Sequence, residues 1–351
     1  MIAHPGHMTG YRKAIRFLGA SLMLVLIGPV SAEPAPRQQW YQSIETGYRA
    51  LADSAAALSQ SADNYCDAPD PSGFETVRRH WRSALLTWQA VRFVDFGPVE
   101  RDSRAWQIQF WPDPRNLVAH KARGWLKSTR DINRDAVATD GVAVQGLPLL
   151  EYLLFDDQLQ HSSNALPAAR TCALLSAVSA HLATTTAGIV ADWRALAPTY
   201  RQDARYTTDT FNAVRTLLDT LQDKRLEATM GVRSGQQANP YLGDAWRSGQ
   251  SLAAMRASLG GVQRYFLPGL SALMAETGQS DLFRRLQKQL RATLAAFQQL
   301  PDSLTVALDN ESDYQALQSL LVQVSELRTL LAGPVADQLG MVRGFNASDG
   351  D

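Results

Sequence analysis

The sequence predicts an all-α protein built from two packed helical bundles. Three observations carry that expectation. Apolar residues recur at steps of three and four over most of the chain, alternating apolar-polar runs of strand type are missing, and the breaks between helical segments fall at Gly and Pro. The clearest stripe is Phe74, Val77, Trp81, Leu85, Trp88 and Val91, a single face of one helix. The stretch 165–196 is rich in Ala, Leu and Val, and after Pro167 it has no Gly or Pro before Gly188. Further helices are expected over 38–64, 204–229, 243–259, 261–276, 280–299 and 312–332. Segments 95–116 and 230–243 carry Gly, Pro or both and read as long loops, which in compact helical domains are often functional.

The N-terminus reads as a secretory signal. Arg12, Lys13 and Arg16 precede the apolar run FLGASLMLVLIGPV and the small-x-small site Val30-Ser31-Ala32. That run is short for a membrane span, so cleavage after Ala32 and export to the periplasm are expected. Nothing downstream suggests a membrane span in the mature chain. The remaining 319 residues exceed what one small bundle needs. A proline interrupts the helical pattern at Leu196-Ala197-Pro198-Thr199-Tyr200, so the expected division is a signal peptide at 1–32 and bundles at 33–200 and 201–351. Bundles of similar size would suit an ancient duplication.

Composition excludes several classes of function. The first 32 residues carry three basic and no acidic side chains, so of the chain's 34 Lys+Arg 31 remain against 34 Asp+Glu. With no basic run in the mature chain, nucleic acid is not an expected partner. The sequence contains no Gly-x-Ser-x-Gly nucleophile motif, no Walker-type phosphate loop and no His-Glu-x-x-His pair. The two cysteines, Cys66 and Cys172, lack neighbouring metal ligands, and in an oxidising compartment they are expected to form a disulfide.

Segment 92–115 holds the densest chemistry. Arg92, Arg101, Arg104 and Arg115 alternate with Asp95, Glu100, Asp102 and Asp113, and Phe93, Phe96, Trp106, Phe110 and Trp111 lie among them. It reads either as a loop whose charges satisfy one another, or as a pocket wall offering guanidinium groups to an anionic ligand. The run GLPLLEYLL at 146–154 raises a second question, because Glu151 sits among Leu147, Leu149, Leu150, Leu153 and Leu154. If Pro148 opens a helix, Glu151 falls in its first turn and the helix dipole accounts for it. If the helix is buried on most sides, the carboxylate needs a partner, for which Arg92, Arg104, Arg115 and Arg247 are the candidates.

Gln145 through Phe155, Phe110-Trp111-Pro112-Asp113, Arg92-Phe93 with Gly97-Pro98, Trp246-Arg247-Ser248 and the ending Gly344–Asp351 together resemble the imelysin-like proteins. These are exported all-helical bacterial proteins, and the resemblance spans essentially the whole mature chain. It implies two bundles with a site near their junction. It also implies a Gly-x-His-x-x-Glu signature, linked both to a metallopeptidase label and to iron acquisition. Here Gly146 and Glu151 match the signature, and Pro148 stands at the histidine position.

Proline supplies no donor atom, so Glu151 is the only metal candidate that the motif leaves. Of the six histidines, His4 and His7 lie in the signal segment. None of His80, His120, His161 and His181 has an acidic residue three or four places ahead. The expected role is therefore non-catalytic: binding a small ligand, a metal complex or an envelope iron-transport partner, with iron or another divalent metal as the possible cofactor. The candidate ligand-binding residues are Arg92, Asp113, Arg115, Gln145, Glu151, Trp246 and Arg247. A metal-dependent peptidase is the alternative, and an interaction scaffold without a small-molecule site the third reading.

Overall fold

A computed structural model describes residues 35–341 apart from 233, 234 and 236, together with Met1 and Gly6. The expected signal segment and its cleavage site lie outside the described residues, as does the ending 344–351. Among the described residues the chain is helical and contains no strand.

The long helices are α1 (Pro36–Asp67), α2 (Pro71–Val91), α3 (Leu117–Lys127), α4 (Gly146–Phe155), α5 (Ala169–Gln202) and α6 (Arg205–Asp219). They are followed by α7 (Ser251–Gly261), α8 (Leu267–Glu276), α9 (Ser280–Phe297) and α10 (Glu311–Leu330). π-Helical stretches, Thr220–Glu227 after α6, Val262–Phe266 between α7 and α8 and Leu331–Val335 after α10, carry the helices on without a break. The described residues from 35 to 341 cluster as one compact unit.

Helix α1 is the central strut. Its buried face, with Trp40, Ile44, Tyr48, Leu51, Ala55, Leu58 and Ala62, packs against α2, α5 and α8. The stripe expected on α2 is buried at Val77, Trp81, Leu85, Trp88 and Val91. Helix α2 also meets α7 backbone to backbone. A Cβ on Gly261 would sit 1.8 Å from the carbonyl oxygen of Ala90, so only glycine permits this approach. Cys66 at the end of α1 is bonded to Cys172 at the start of α5, their Cα atoms 5.5 Å apart.

Three expectations change. Helix α5 runs through Pro198 to Gln202, so the anticipated seam at 196–200 is helical. Pro198 sits on the exposed side, where the carbonyl it cannot pair with is open to water. Helix α5 is also long and apolar enough to cross a membrane, which the sequence reading denied of every stretch beyond the signal. Most of that stretch is buried against α1, α4 and the short helix Arg134–Thr139. Finally, the helix anticipated from 243 begins at Ser251, and residues 243–250 form a loop instead.

Candidate functional site

Helix α4 enters the core at an obligatory glycine. Gly146 has φ +63°, and a Cβ there would lie 2.2 Å from the Gln107 carbonyl oxygen and 2.3 Å from that of Ile108. Gln145 precedes it, and its side-chain amide donates to the carbonyls of Val137 (2.9 Å) and Asp140 (3.1 Å), anchoring the entry. Pro148 occupies the first turn, where a missing N–H costs nothing. Glu151 lies beyond that turn, so the dipole reading of its charge is set aside. Three residues apart, Pro148 and Glu151 share a face and line one cavity.

Glu151 is buried, 4 % exposed, and its partner is none of the four arginines considered from sequence. Ser248 holds it: the backbone N–H and the hydroxyl both donate to Oε1 at 2.8 Å. Burial pushes the carboxyl up to about 7 against these two bonds and the nearby Arg247 charge, with Asp244 pushing the same way as burial.

The opposing wall is the loop Asp244–Ser248. Ala245 has φ +54°, a left-handed conformation that costs an alanine of order 1 kcal/mol or more and reverses the chain here. Trp246 meets Tyr241 edge to face, ring centroids 4.8 Å apart. Arg247 lies 4.1 Å over the Trp246 ring. Its Nε donates to Asp156 Oδ2 (2.9 Å) and its Nη2 to Asn116 Oδ1 (2.7 Å).

Behind this wall lies a polar cluster that the sequence did not announce. Asp244 Oδ2 accepts from Arg225 Nη2 (2.7 Å), Gln89 Nε2 (3.0 Å) and Gln109 Nε2 (3.1 Å). Arg92 Nη1 lies 3.6 Å from the same oxygen and donates to Gln109 Oε1 at 2.9 Å. Arg225, Gln89, Gln109 and Asp244 are buried. Burial, helped by the Arg225 charge, pushes Arg92 down to about 9, and burial lowers Arg225 as well. Asp244 Oδ1 is buried without a hydrogen-bond partner. A signal for Arg225 did exist: it interrupts the apolar stripe Leu218, Leu221, Leu226 of its own helix. Gln89 likewise falls beside Trp88 on the buried face of α2.

Between the two walls is a cavity of about 280 Å³. Trp81, Phe110, Trp111, Tyr241 and Trp246 give it aromatic sides, and Glu151, Asp113, Asp244, Gln109 and Arg247 contribute polar groups. Of the residues expected to form a site, Glu151, Asp113, Trp246 and Arg247 are brought together here. Asp113 also caps α3, accepting from the N–H groups of Leu117 (2.7 Å) and Val118 (3.0 Å). Three others are not at the cavity. Arg115 is exposed, Gln145 anchors α4, and Arg92 sits in the cluster behind Gln109. Arg104, too, is turned elsewhere, pairing with Asp192 at 2.7 Å. The arginines of segment 92–115 therefore do not line this cavity as guanidiniums for an anion.

The model of the imelysin family, labelled as a peptidase family, matches residues 44–331. The chain belongs to the imelysin family. Solved structures share this imelysin fold at low identity. An imelysin-like protein from Psychrobacter arcticum 273-4 superposes with a TM-score of 0.75 at 21 % identity, over 88 % of this chain and 98 % of that one. A putative iron-regulated protein A precursor from Parabacteroides distasonis ATCC 8503 superposes with a TM-score of 0.64 at 15 % identity, over 88 % and 97 %. No curated protein matches the chain.

The residues of this imelysin do not fit a metal centre. Among the described residues no group of three or more His, Cys, Asp and Glu is placed to hold an ion. Around Glu151 the reason is visible: Pro148 offers no donor, the Asp113 oxygens cap a helix, and Asp244 Oδ2 is taken by Arg225.

Proposed function

We propose that this imelysin is an exported, periplasmic binding protein without a catalytic centre of its own. Its cavity between α4 and the loop Asp244–Ser248 captures a small ligand or metal complex in a role linked to iron acquisition. The observation that carries this reading is the aromatic-sided cavity with a buried carboxylate in its wall. Such a combination of apolar walls and few polar groups is the usual form of a small-molecule site. The iron link rests on the family and on the name of the Parabacteroides neighbour, an iron-regulated precursor. The same exported setting makes envelope iron-transport proteins the natural partners.

The family label also suggests a metal-dependent peptidase. That activity needs an ion held by several ligands and a water activated beside it, and among the described residues no three potential ligands are placed together. The test compares wild type with Glu151→Gln against a panel of small ligands and iron complexes, read by the shift in melting temperature. The binding reading expects at least one ligand whose shift shrinks in the variant while the unliganded fold persists. Equal shifts in both proteins across the panel would count against it. Chelator-sensitive cleavage of casein by the zinc- or iron-supplemented wild type would overturn the non-catalytic reading.

A further inference from the structure

We propose that the cavity selects a small organic cation with an aromatic or apolar body, its charge set against Glu151 and its body among Trp81, Trp111, Tyr241 and Trp246. The inference rests on the reading of this cavity as a ligand site and adds the sign of the ligand's charge.

Several polar groups of the lining are already used. Arg247 is the one cation among the lining residues, and Asp156 and Asn116 hold it at 2.9 and 2.7 Å. Both oxygens of Asp113 serve the start of α3. Asp244 gives Oδ2 to Arg225 and leaves Oδ1 buried with no partner. Glu151 is held only by the neutral donors of Ser248, both on Oε1, and no hydrogen bond reaches its Oε2 among the described residues. Among the charged lining groups, Arg247 and Asp244 are thus each held in an ion pair, whereas Glu151 and Asp113 are bonded to neutral donors alone. A cation would gain from these two carboxylates, whereas an anion would meet their uncompensated negative charge.

The walls add a second, independent reason. Aromatic faces attract cations through their quadrupoles, most strongly where water is excluded. The cavity already shows this chemistry internally, since the Arg247 guanidinium stacks on Trp246 and that of Arg225 lies 5.3 Å from the Trp111 ring centre. No such cation lies over Trp81 or Tyr241 among the described residues. A volume of about 280 Å³ suits a single-ring amine.

Three probes of matched shape test the proposal: phenethylamine, 2-phenylethanol and phenylacetate, titrated by calorimetry into the full chain at pH 8. The expected order is amine, then alcohol, then acetate. The amine should lead by about tenfold or more, the range of one charge-assisted contact. In Glu151→Gln the amine should fall to the affinity of the alcohol, whose own binding stays unchanged and reports an intact cavity. If the alcohol or the acetate binds wild type as tightly as the amine, the charge assignment is wrong and the ligand-site reading survives. If none of the three binds, both fall.

Discussion

Ser248 and Glu151 are joined twice through one oxygen, the serine N–H and hydroxyl both reaching Oε1 at 2.8 Å. Two neutral donors are less than a buried carboxylate needs to stay ionised, and so its carboxyl sits near 7.

That shift makes stability depend on pH with a definite sign. Below 4.5 the group is protonated in folded and unfolded chains alike. Between 4.5 and about 7 the unfolded chain ionises while the fold keeps its proton, so stability falls as pH rises; above 7 the loss is complete. Its size is about 3 kcal/mol. Glu151→Gln removes the titration and can keep both Ser248 bonds. Urea unfolding at pH 5 and pH 8 should therefore show the variant gaining about 2.5 kcal/mol on wild type between the two, part of the loss being already present at pH 5. Asp95, raised to about 6 by burial, titrates in both proteins and cancels. A pH-independent difference would contradict the assignment.

Arg225 and Asp244 form a buried ion pair at 2.7 Å, each side chain 1 % exposed. Removing one partner strands the other charge. Arg225→Ala should cost about 3–5 kcal/mol, whereas Arg115→Ala, at an exposed site, should stay within about 0.5 kcal/mol. Denaturant midpoints at constant slope decide this.

At Gly146 a methyl group meets two carbonyl oxygens at 2.2 and 2.3 Å on a backbone of positive φ. Gly146→Ala is expected to destabilise by more than about 2 kcal/mol, strain and overpacking acting together. Gly124, inside α3 with nothing within 4 Å of its added Cβ, is the contrast. Gly124→Ala should stabilise by about 0.5–1 kcal/mol. Thermal melts of the pair separate a site-specific need for glycine from a general effect.

Cys66 and Cys172 close a loop across a sequence separation of 106 residues. In the chain-entropy model such a loop contributes about 4–5 kcal/mol. The Cys66→Ser/Cys172→Ser variant should lose most of that in guanidinium unfolding under oxidising conditions. Wild type in strong reductant should behave like the variant.

Much of the frame was legible because burial imposes a period. Phe74 to Val91 announced α2, and the Ala-, Leu- and Val-rich run announced most of α5. The site was legible only in part. Glu151 stood out as a carboxylate among leucines, Asp113, Trp246 and Arg247 stood in stretches that carry the family resemblance, and all four line the cavity. The partner of Glu151 was not, since a serine 97 residues away carries no local trace of a bond made mainly by its backbone and hydroxyl. The helix anticipated at 243 failed for a related reason. Asp244 bonded to Arg225, Ser248 bonded to Glu151 and a left-handed Ala245 between them outweigh helical preference there.

Asp244 and Ser248 stand four positions apart, and each is fastened to a different body of the protein: one to the cluster behind the cavity, the other to α4. The tripeptide between them thus works as a caliper of fixed span. Lengthening or shortening it by a single residue would leave one jaw without its grip, either freeing the carboxylate of Glu151 or opening the pair with Arg225. Tolerance to insertion should accordingly collapse across 244–248.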